Sequence, residues 1–166
     1  MQLKTGDILH CTGARLLARL VMFFTRSKIS HTAIVICVWD QLYVIDAQKN
    51  GVNPKPLQDW LDYYKYKIKV SRNFSLFNEK NLSIRCFSKV GLTSYDFVSL
   101  LFYQPWYLLT ERWIGKTKEN STKRMYCSEY VGWCLEIENY WELSPEDIYK
   151  LMNNEELNYK TFDYVY

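Results

Sequence analysis

Five cysteines and two histidines are the side chains of this 166-residue chain whose types suit nucleophilic chemistry. One cysteine lies in Met125-Tyr126-Cys127-Ser128-Glu129-Tyr130-Val131-Gly132-Trp133-Cys134, which reads as a helix entered from a polar loop. Cys127 falls in or beside the first turn, where helical N–H groups lack partners and the macrodipole is positive. A thiol placed there has its thiolate stabilised and becomes a nucleophile. The plainer reading is a small buried hydrophobe, as most free cysteines are. A nucleophile needs a base, and the imidazoles on offer are His10 and His31.

His10 ends a short strand beside Cys11, with nothing distinctive around it. His31 opens Ser30-His31-Thr32-Ala33-Ile34-Val35-Ile36-Cys37-Val38-Trp39, the strongest strand in the sequence, β-branched and apolar on both faces. Its expected hairpin partner, Gln41-Leu42-Tyr43-Val44-Ile45-Asp46-Ala47, carries a carboxylate among apolar neighbours, which must face outward or be paired. A turn centred on Asp40-Gln41 sets Asp46 opposite Val35, on the face that also carries His31. Acid and imidazole then stand about 13 Å apart along the strand, and contact requires a bulge, a longer loop or strong twist.

The elements around these residues follow from pattern. Gly6 to Cys11 is a turn and short strand, and Ala14 to Thr25 has the spacing of a basic amphipathic helix with Arg15 and Arg19. Asn50-Gly51-Val52 reads as a turn into Pro54-Lys55-Pro56, and Leu57 to Tyr64 as a short helix. An alternating basic strand surrounds Ile68. Asn78 to Val90 is a helix stopped by Gly91. The stretch from Tyr95 to Trp113 is aromatic, interrupted by Pro105, and too short in apolar run to span a bilayer. Gly115 to Lys123 reads as a mobile polar loop. Ser144-Pro145-Glu146-Asp147 is an N-cap with proline in the first turn, and Tyr159 to Tyr166 a last strand. Strands gather in the first half and helices in the second, the pattern of an α+β fold in one domain, 1–166.

Composition excludes several classes. A net charge of +3, with 23% charged and 48% apolar residues, fits a soluble globular protein and gives no basic stripe for nucleic acid. The odd cysteine count, without CxxC spacing or a Cys/His cluster, indicates neither a disulfide framework nor a metal site. Free thiols and an N-terminus without a signal-peptide pattern lead to an expected cytoplasmic location.

Taken together, Gly6-Asp7-Ile8-Leu9, Ser30-His31-Thr32-Ala33-Ile34-Val35, Val44-Ile45-Asp46-Ala47, Tyr95-Asp96 and Tyr126-Cys127-Ser128-Glu129 form an ordered series of blocks. The series resembles the circularly permuted branch of the NlpC superfamily of papain-like thiol hydrolases, most nearly the YiiX-like group related to lecithin:retinol acyltransferase. In that branch the histidine strand precedes the cysteine helix. The resemblance implies a small antiparallel sheet or half-barrel packed against helices, with the nucleophile at a helix N-terminus. It also implies Cys127 as nucleophile, His31 as base, Asp46 as the residue that orients the histidine, and Tyr95 as a tyrosine close to the site. Relatives often carry Glu or His where this chain has the shorter Asp46.

The expected activity is hydrolysis of an amide, peptide or other acyl bond through an acyl-enzyme, with no metal or organic cofactor. The alternatives are an acyltransferase or lipid-acting hydrolase, which the basic Ala14–Thr25 segment and contact with a membrane surface would suit, and an inactive papain-like binding domain. Ser128 and Glu129 read as extending the first helical turn, with the acid complementing the dipole, and Cys134 as core.

Overall fold

The computed structural model describes residues 2–13, 16–24, 27–63, 67–74, 78–117, 120, 122–154 and 158–164. Strand β1 (Ile8–Cys11) pairs with both β2 (His31–Val38) and β5 (Ile68–Asn73). Strands β3 (Gln41–Gln48) and β4 (Gly51–Pro56) extend the sheet from β2, and β8 (Tyr159–Tyr164) closes it beyond β5. The order is β4-β3-β2-β1-β5-β8, with every pairing antiparallel. Two short strands, β6 (Ser94–Tyr95) and β7 (Arg124–Met125), form a separate parallel pair.

Both faces of β2 are covered, as its unbroken apolar run predicts. Ile34 and Ile36 join Ile8, Ile45 and Val52 under helix α5 (Cys127–Cys134) and helix α6 (Pro145–Leu151). Ala33 and Val35 join Leu9, Val44 and Val70 on the other side, under Trp60 and Leu61 of helix α2 (Leu57–Tyr63). Ser144 caps α6 as its sequence predicts, accepting from the Asp147 N–H at 3.2 Å while the Asp147 carboxylate accepts the Ser144 N–H at 2.8 Å. Asn78 caps α3 (Glu79–Phe87), with its side chain accepting from Asn81 N–H. The expected α1 is present as Leu16–Phe24. Ala14, Arg15, Thr25 and Tyr64, at the ends of the expected helices, and the last two residues of the expected final strand lie outside the described residues.

The β2–β3 turn differs from expectation, and the difference matters. The register pairs Ile34 with Ile45 and Val38 with Gln41, so the turn is Trp39-Asp40, not Asp40-Gln41. Both residues have positive φ, 48° and 62°, the signature of a type I′ hairpin. A bulky aromatic seldom adopts that conformation, which is why the sequence hides it. The segment 51–56 is also a strand rather than a turn and extended link. Its prolines are tolerated because β4 is the edge strand of the six-stranded sheet. Gly51, at φ +93°, begins it where an added Cβ would stand 2.5 Å from the Thr93 carbonyl oxygen, a close approach that brings the Thr93–Tyr95 segment against the sheet.

After Tyr95 the chain forms a π-helical turn, Ser99–Tyr103, that runs directly into α4 (Gln104–Thr110). Pro105 has no N–H and its ring crowds the carbonyl one turn back; the π turn, with the Gln104 N–H donating to the Ser99 carbonyl, lies directly before it. Asp96 fixes the start, its carboxylate accepting from Ser99 N–H at 3.0 Å and Ser99 Oγ–H at 2.7 Å.

Candidate active site

The two-residue turn brings Asp46 within reach of His31. Continuing the register from Ile34↔Ile45 sets Asp46 opposite Ala33, a diagonal neighbour of His31 on the same face. His31 Nε2 lies 2.7 Å from Asp46 Oδ2, and no bulge is involved. The same oxygen accepts from Gln48 Nε2–H and from Trp60 Nε1–H, each at 2.9 Å. Gln48 is on the Asp46 face of β3, and Trp60 descends from α2 onto that face. Neither donor is apparent in the sequence as part of a site, although a carboxylate in an apolar strand demands such partners.

The α5 helix packs on the opposite face, with its N-terminus brought to the start of β2. Cys127 is its first residue and is 2% exposed. The thiol is hydrogen-bonded to the His31 ring and to the backbone N–H of Thr32. Because Nε2 is held by Asp46, Nδ1 is the ring atom left for the sulfur. Of Cys127, His31 and Asp46, His31 alone keeps appreciable exposure, 12%.

Electrostatics couple the two groups. Burial on its own would raise the Cys127 pKa; the His31 charge, its hydrogen bond and the Thr32 N–H outweigh it, and the thiol titrates below its usual range. Burial would likewise lower His31, but the Cys127 thiolate and the bond to Asp46 raise it to about 10. Asp46 is held below the usual carboxylate range: against burial act the His31 bond and charge and the donors of Gln48 and Trp60. Both shifts favour the thiolate–imidazolium pair over the neutral thiol and imidazole.

Tyr95 is partly buried beside these groups. Its backbone pairs with Met125, two positions before Cys127, and its ring packs edge-on to Phe97 at 4.7 Å. Burial first, then the nearby charges of Cys127 and Asp46, push its pKa well above the usual range, so the phenol keeps its proton. His10 is elsewhere. Its Nε2 meets Ser71 Oγ at 2.9 Å, and burial together with Lys69 drives its pKa down to about 3, leaving a neutral structural histidine.

Lys116 and Glu129 exceed their sequence reading. Glu129 caps the Cys127 helix, its Oε2 accepting the Tyr126 N–H at 2.8 Å, and it is fully buried. Lys116 Nζ stands 2.6 Å from both Glu129 Oε1 and Asp96 Oδ2, and donates to the Arg124 carbonyl at 2.6 Å. In place of a mobile polar loop, the described part of 115–123 therefore carries a cation anchored beneath the nucleophile helix; residues 118, 119 and 121 lie outside the described residues. No local pattern reveals that pairing. Cys134 is buried core, as its spacing predicts.

Trp60→Phe isolates the role of the indole donor. Loss of one bond to a buried carboxylate is expected to cost about 1–3 kcal/mol in urea unfolding. It is also expected to slow Cys127 alkylation at pH 6 about threefold, because each pKa unit lost by the ion pair is about tenfold in the equilibrium and only part of that reaches the thiolate. Unchanged values in both assays would assign Trp60 to packing alone.

An antiparallel sheet against helices, with a cysteine at the start of a helix on that sheet and the histidine strand earlier in the chain, defines an α+β protein of papain-like fold. Residues 2–99 match the model of the permuted papain-like amidase enzymes of the YaeF/YiiX type, and the chain belongs to that family. The matched stretch contains His31, Asp46 and Tyr95 and ends before Cys127. The crystal structure of the metalloprotein YiiX from Escherichia coli is similar over 98% of this chain and 89% of that one, with a TM-score of 0.63 and 22% identity. The shared fold thus continues through α5. No curated protein matches the chain. Among the described residues no group of three or more His, Cys, Asp or Glu is placed to hold a metal ion. Nor is any helix among them long and apolar enough to cross a membrane.

Proposed function

We propose that the protein is a thiol-dependent hydrolase of amide or peptide bonds, acting through Cys127, His31 and Asp46 by way of an acyl-enzyme. The observation that carries this reading is the bonded series from the Cys127 thiol through the His31 ring to Asp46 Oδ2, 2.7 Å from Nε2.

The Cys127 thiolate attacks the acyl carbon, and the carbonyl oxygen takes up the electron pair. Backbone N–H groups of the first turn of α5 have no helical acceptor and face the developing charge. The protonated Tyr95 phenol is a further donor on that side. The tetrahedral species collapses, the carbon–nitrogen bond breaks, and His31 gives its proton to the departing amine. Water then adds to the thioester carbon, returning a proton to His31 and releasing the acid and the thiolate. Asp46, with Trp60 and Gln48 holding it, fixes the ring orientation and supports the imidazolium.

Trapping tests this reading. The protein is mixed with a panel of activated acyl esters and peptide anilides, quenched in acid, digested, and weighed. A single acyl mass on the Cys127 peptide that disappears with time is the expected result, with no adduct in Cys127→Ala. Acylation of the exposed Cys37 alone would remove the basis for the proposal. Transfer to an acceptor other than water passes through the same thioester and is read by adding amines or alcohols at the clearing step.

A further inference from the structure

The helical segment after Tyr95 turns an apolar stripe outward. Val98, Phe102, Trp106 and Leu109 follow at helical spacing along one side, and all four are exposed, Phe102 at 67% and Leu109 at 79%. Leu100 and Gln104, between them in sequence, are buried. A helix that only covers a soluble core has its charged side outward. The α1 helix packs against α4 and adds exposed Leu20 and Phe23 to the same surface.

This surface adjoins the candidate site. The inner residues of the two segments, Val21 and Leu100, pack on Tyr126 with Tyr95 alongside, and Tyr126 immediately precedes Cys127. The outward stripe is one layer of side chains from the nucleophile helix.

The charge on the α1 side of the stripe is basic. From Ala14 to Lys28 the sequence holds Arg15, Arg19, Arg26 and Lys28 and no carboxylate. Arg19 and Lys28 are exposed, and so is Arg112 just past α4; Glu111 is the acid beside it. Aromatic and leucine side chains on one side with arginine and lysine at the rim are the composition of a helix lying in a lipid interface. Trp106 adds an indole, the ring type that concentrates at head-group level. An apolar stripe complemented by cations fits a surface that is hydrocarbon inside and anionic outside.

We propose that this stripe seats the protein on anionic membranes, with Phe102, Trp106 and Leu109 among the acyl chains and Arg19, Lys28 and Arg112 at the phosphates. The docking is independent of the hydrolase reading; only its consequence, that Cys127 acts on bonds presented at the lipid–water boundary, rests on it.

Co-sedimentation of the full chain with phosphatidylcholine vesicles, with and without phosphatidylserine, tests the docking. Binding to the phosphatidylserine vesicles, weakened by salt, is expected. A Phe102→Ser/Leu109→Ser variant should bind at least tenfold more weakly, and Arg19→Glu/Arg112→Glu should lose the preference for the anionic lipid. These are surface positions, so circular dichroism and Cys127 alkylation should match the unmodified protein. Cys127→Ala should bind vesicles normally, which separates a failure of docking from a failure of the catalytic reading. Absence of binding to both vesicle types, or equal binding by the Phe102/Leu109 variant, would overturn the proposal. So would sedimentation velocity showing a lipid-free dimer that the same variant converts to monomer, since a second copy would then cover the stripe.

Discussion

Replacing His31 by alanine is expected to slow iodoacetamide alkylation of Cys127 at pH 6 on the order of tenfold to a hundredfold. The argument rests on what remains once the ring is gone. Burial and the Asp46 charge both act against the thiolate, and the Thr32 N–H and the helix N-terminus are the support that remains. The thiol then returns to or above its ordinary range and is almost wholly protonated at pH 6. The loss of thiolate is partly offset because a more basic sulfur is intrinsically more nucleophilic, which sets the range given. Asp46→Asn should produce a smaller fall, because it weakens the imidazolium while also removing a negative charge near sulfur. Quantitative mass spectrometry of the Cys127 peptide, with exposed Cys37 as internal reference, reads both effects. An unchanged Cys127 rate in His31→Ala would mean that the ring does not set the thiol's charge.

Lys116→Met is expected to cost about 3–5 kcal/mol in urea unfolding at pH 9, where both Asp96 and Glu129 are ionised, because it leaves buried carboxylates without their cation. For a chain of this size that corresponds to a fall in Tm on the order of ten degrees. Lys116 is itself mostly buried and bonds Asp96, Glu129 and the Arg124 carbonyl at once. Glu129 has no solvent to turn to. Burial, only partly opposed by Lys116, raises its pKa from 4.5 to about 8. The folded state therefore keeps a proton that the unfolded chain releases, so this stabilisation is full below about pH 4.5 and is lost as pH rises through about 8. Stability should decline from pH 6 to pH 9, and Lys116→Met should lose more at pH 9 than at pH 6. Glu129→Gln should flatten that slope, separating it from the titration of His31 and Cys127. The double variant should recover part of the loss, since the buried carboxylate that needed the cation is gone. A cost under about 1 kcal/mol would mark the cluster as an ordinary surface pair.

Much of the fold was legible because it depends on local patterns. The uninterrupted apolar run of β2 fixed a central strand with His31 at its start, and the Ser144-Pro145 cap fixed the start of α6. The position of Cys127 at a helix start was likewise readable, since a polar loop gives way there to an apolar helical run. Detail was lost wherever long-range contact overrides local preference. Trp39 adopts a left-handed turn conformation that its side chain disfavours, which shifted the register by two residues and separated Asp46 from His31 on paper. The edge position of β4 excuses prolines that argued against a strand. Trp60 and Gln48 look like a helix core residue and a strand end until the fold directs their N–H groups to one oxygen. Lys116 lies 13 residues before Glu129 in a polar stretch, and only the folded chain joins them.

The most direct test of the central claim is the pH profile of Cys127 alkylation in the unmodified protein, normalised to its own maximum. Normalisation matters because limited access to a nearly buried sulfur scales the rate but does not change the profile's shape. The account predicts that the Cys127 rate levels off at lower pH than that of a small free thiol run alongside, whose rate climbs about tenfold per pH unit below its pKa. A Cys127 profile that rises in parallel with the free thiol would contradict it: the sulfur would then be an ordinary buried thiol, and the contact between His31 and Asp46 would have no nucleophile to serve.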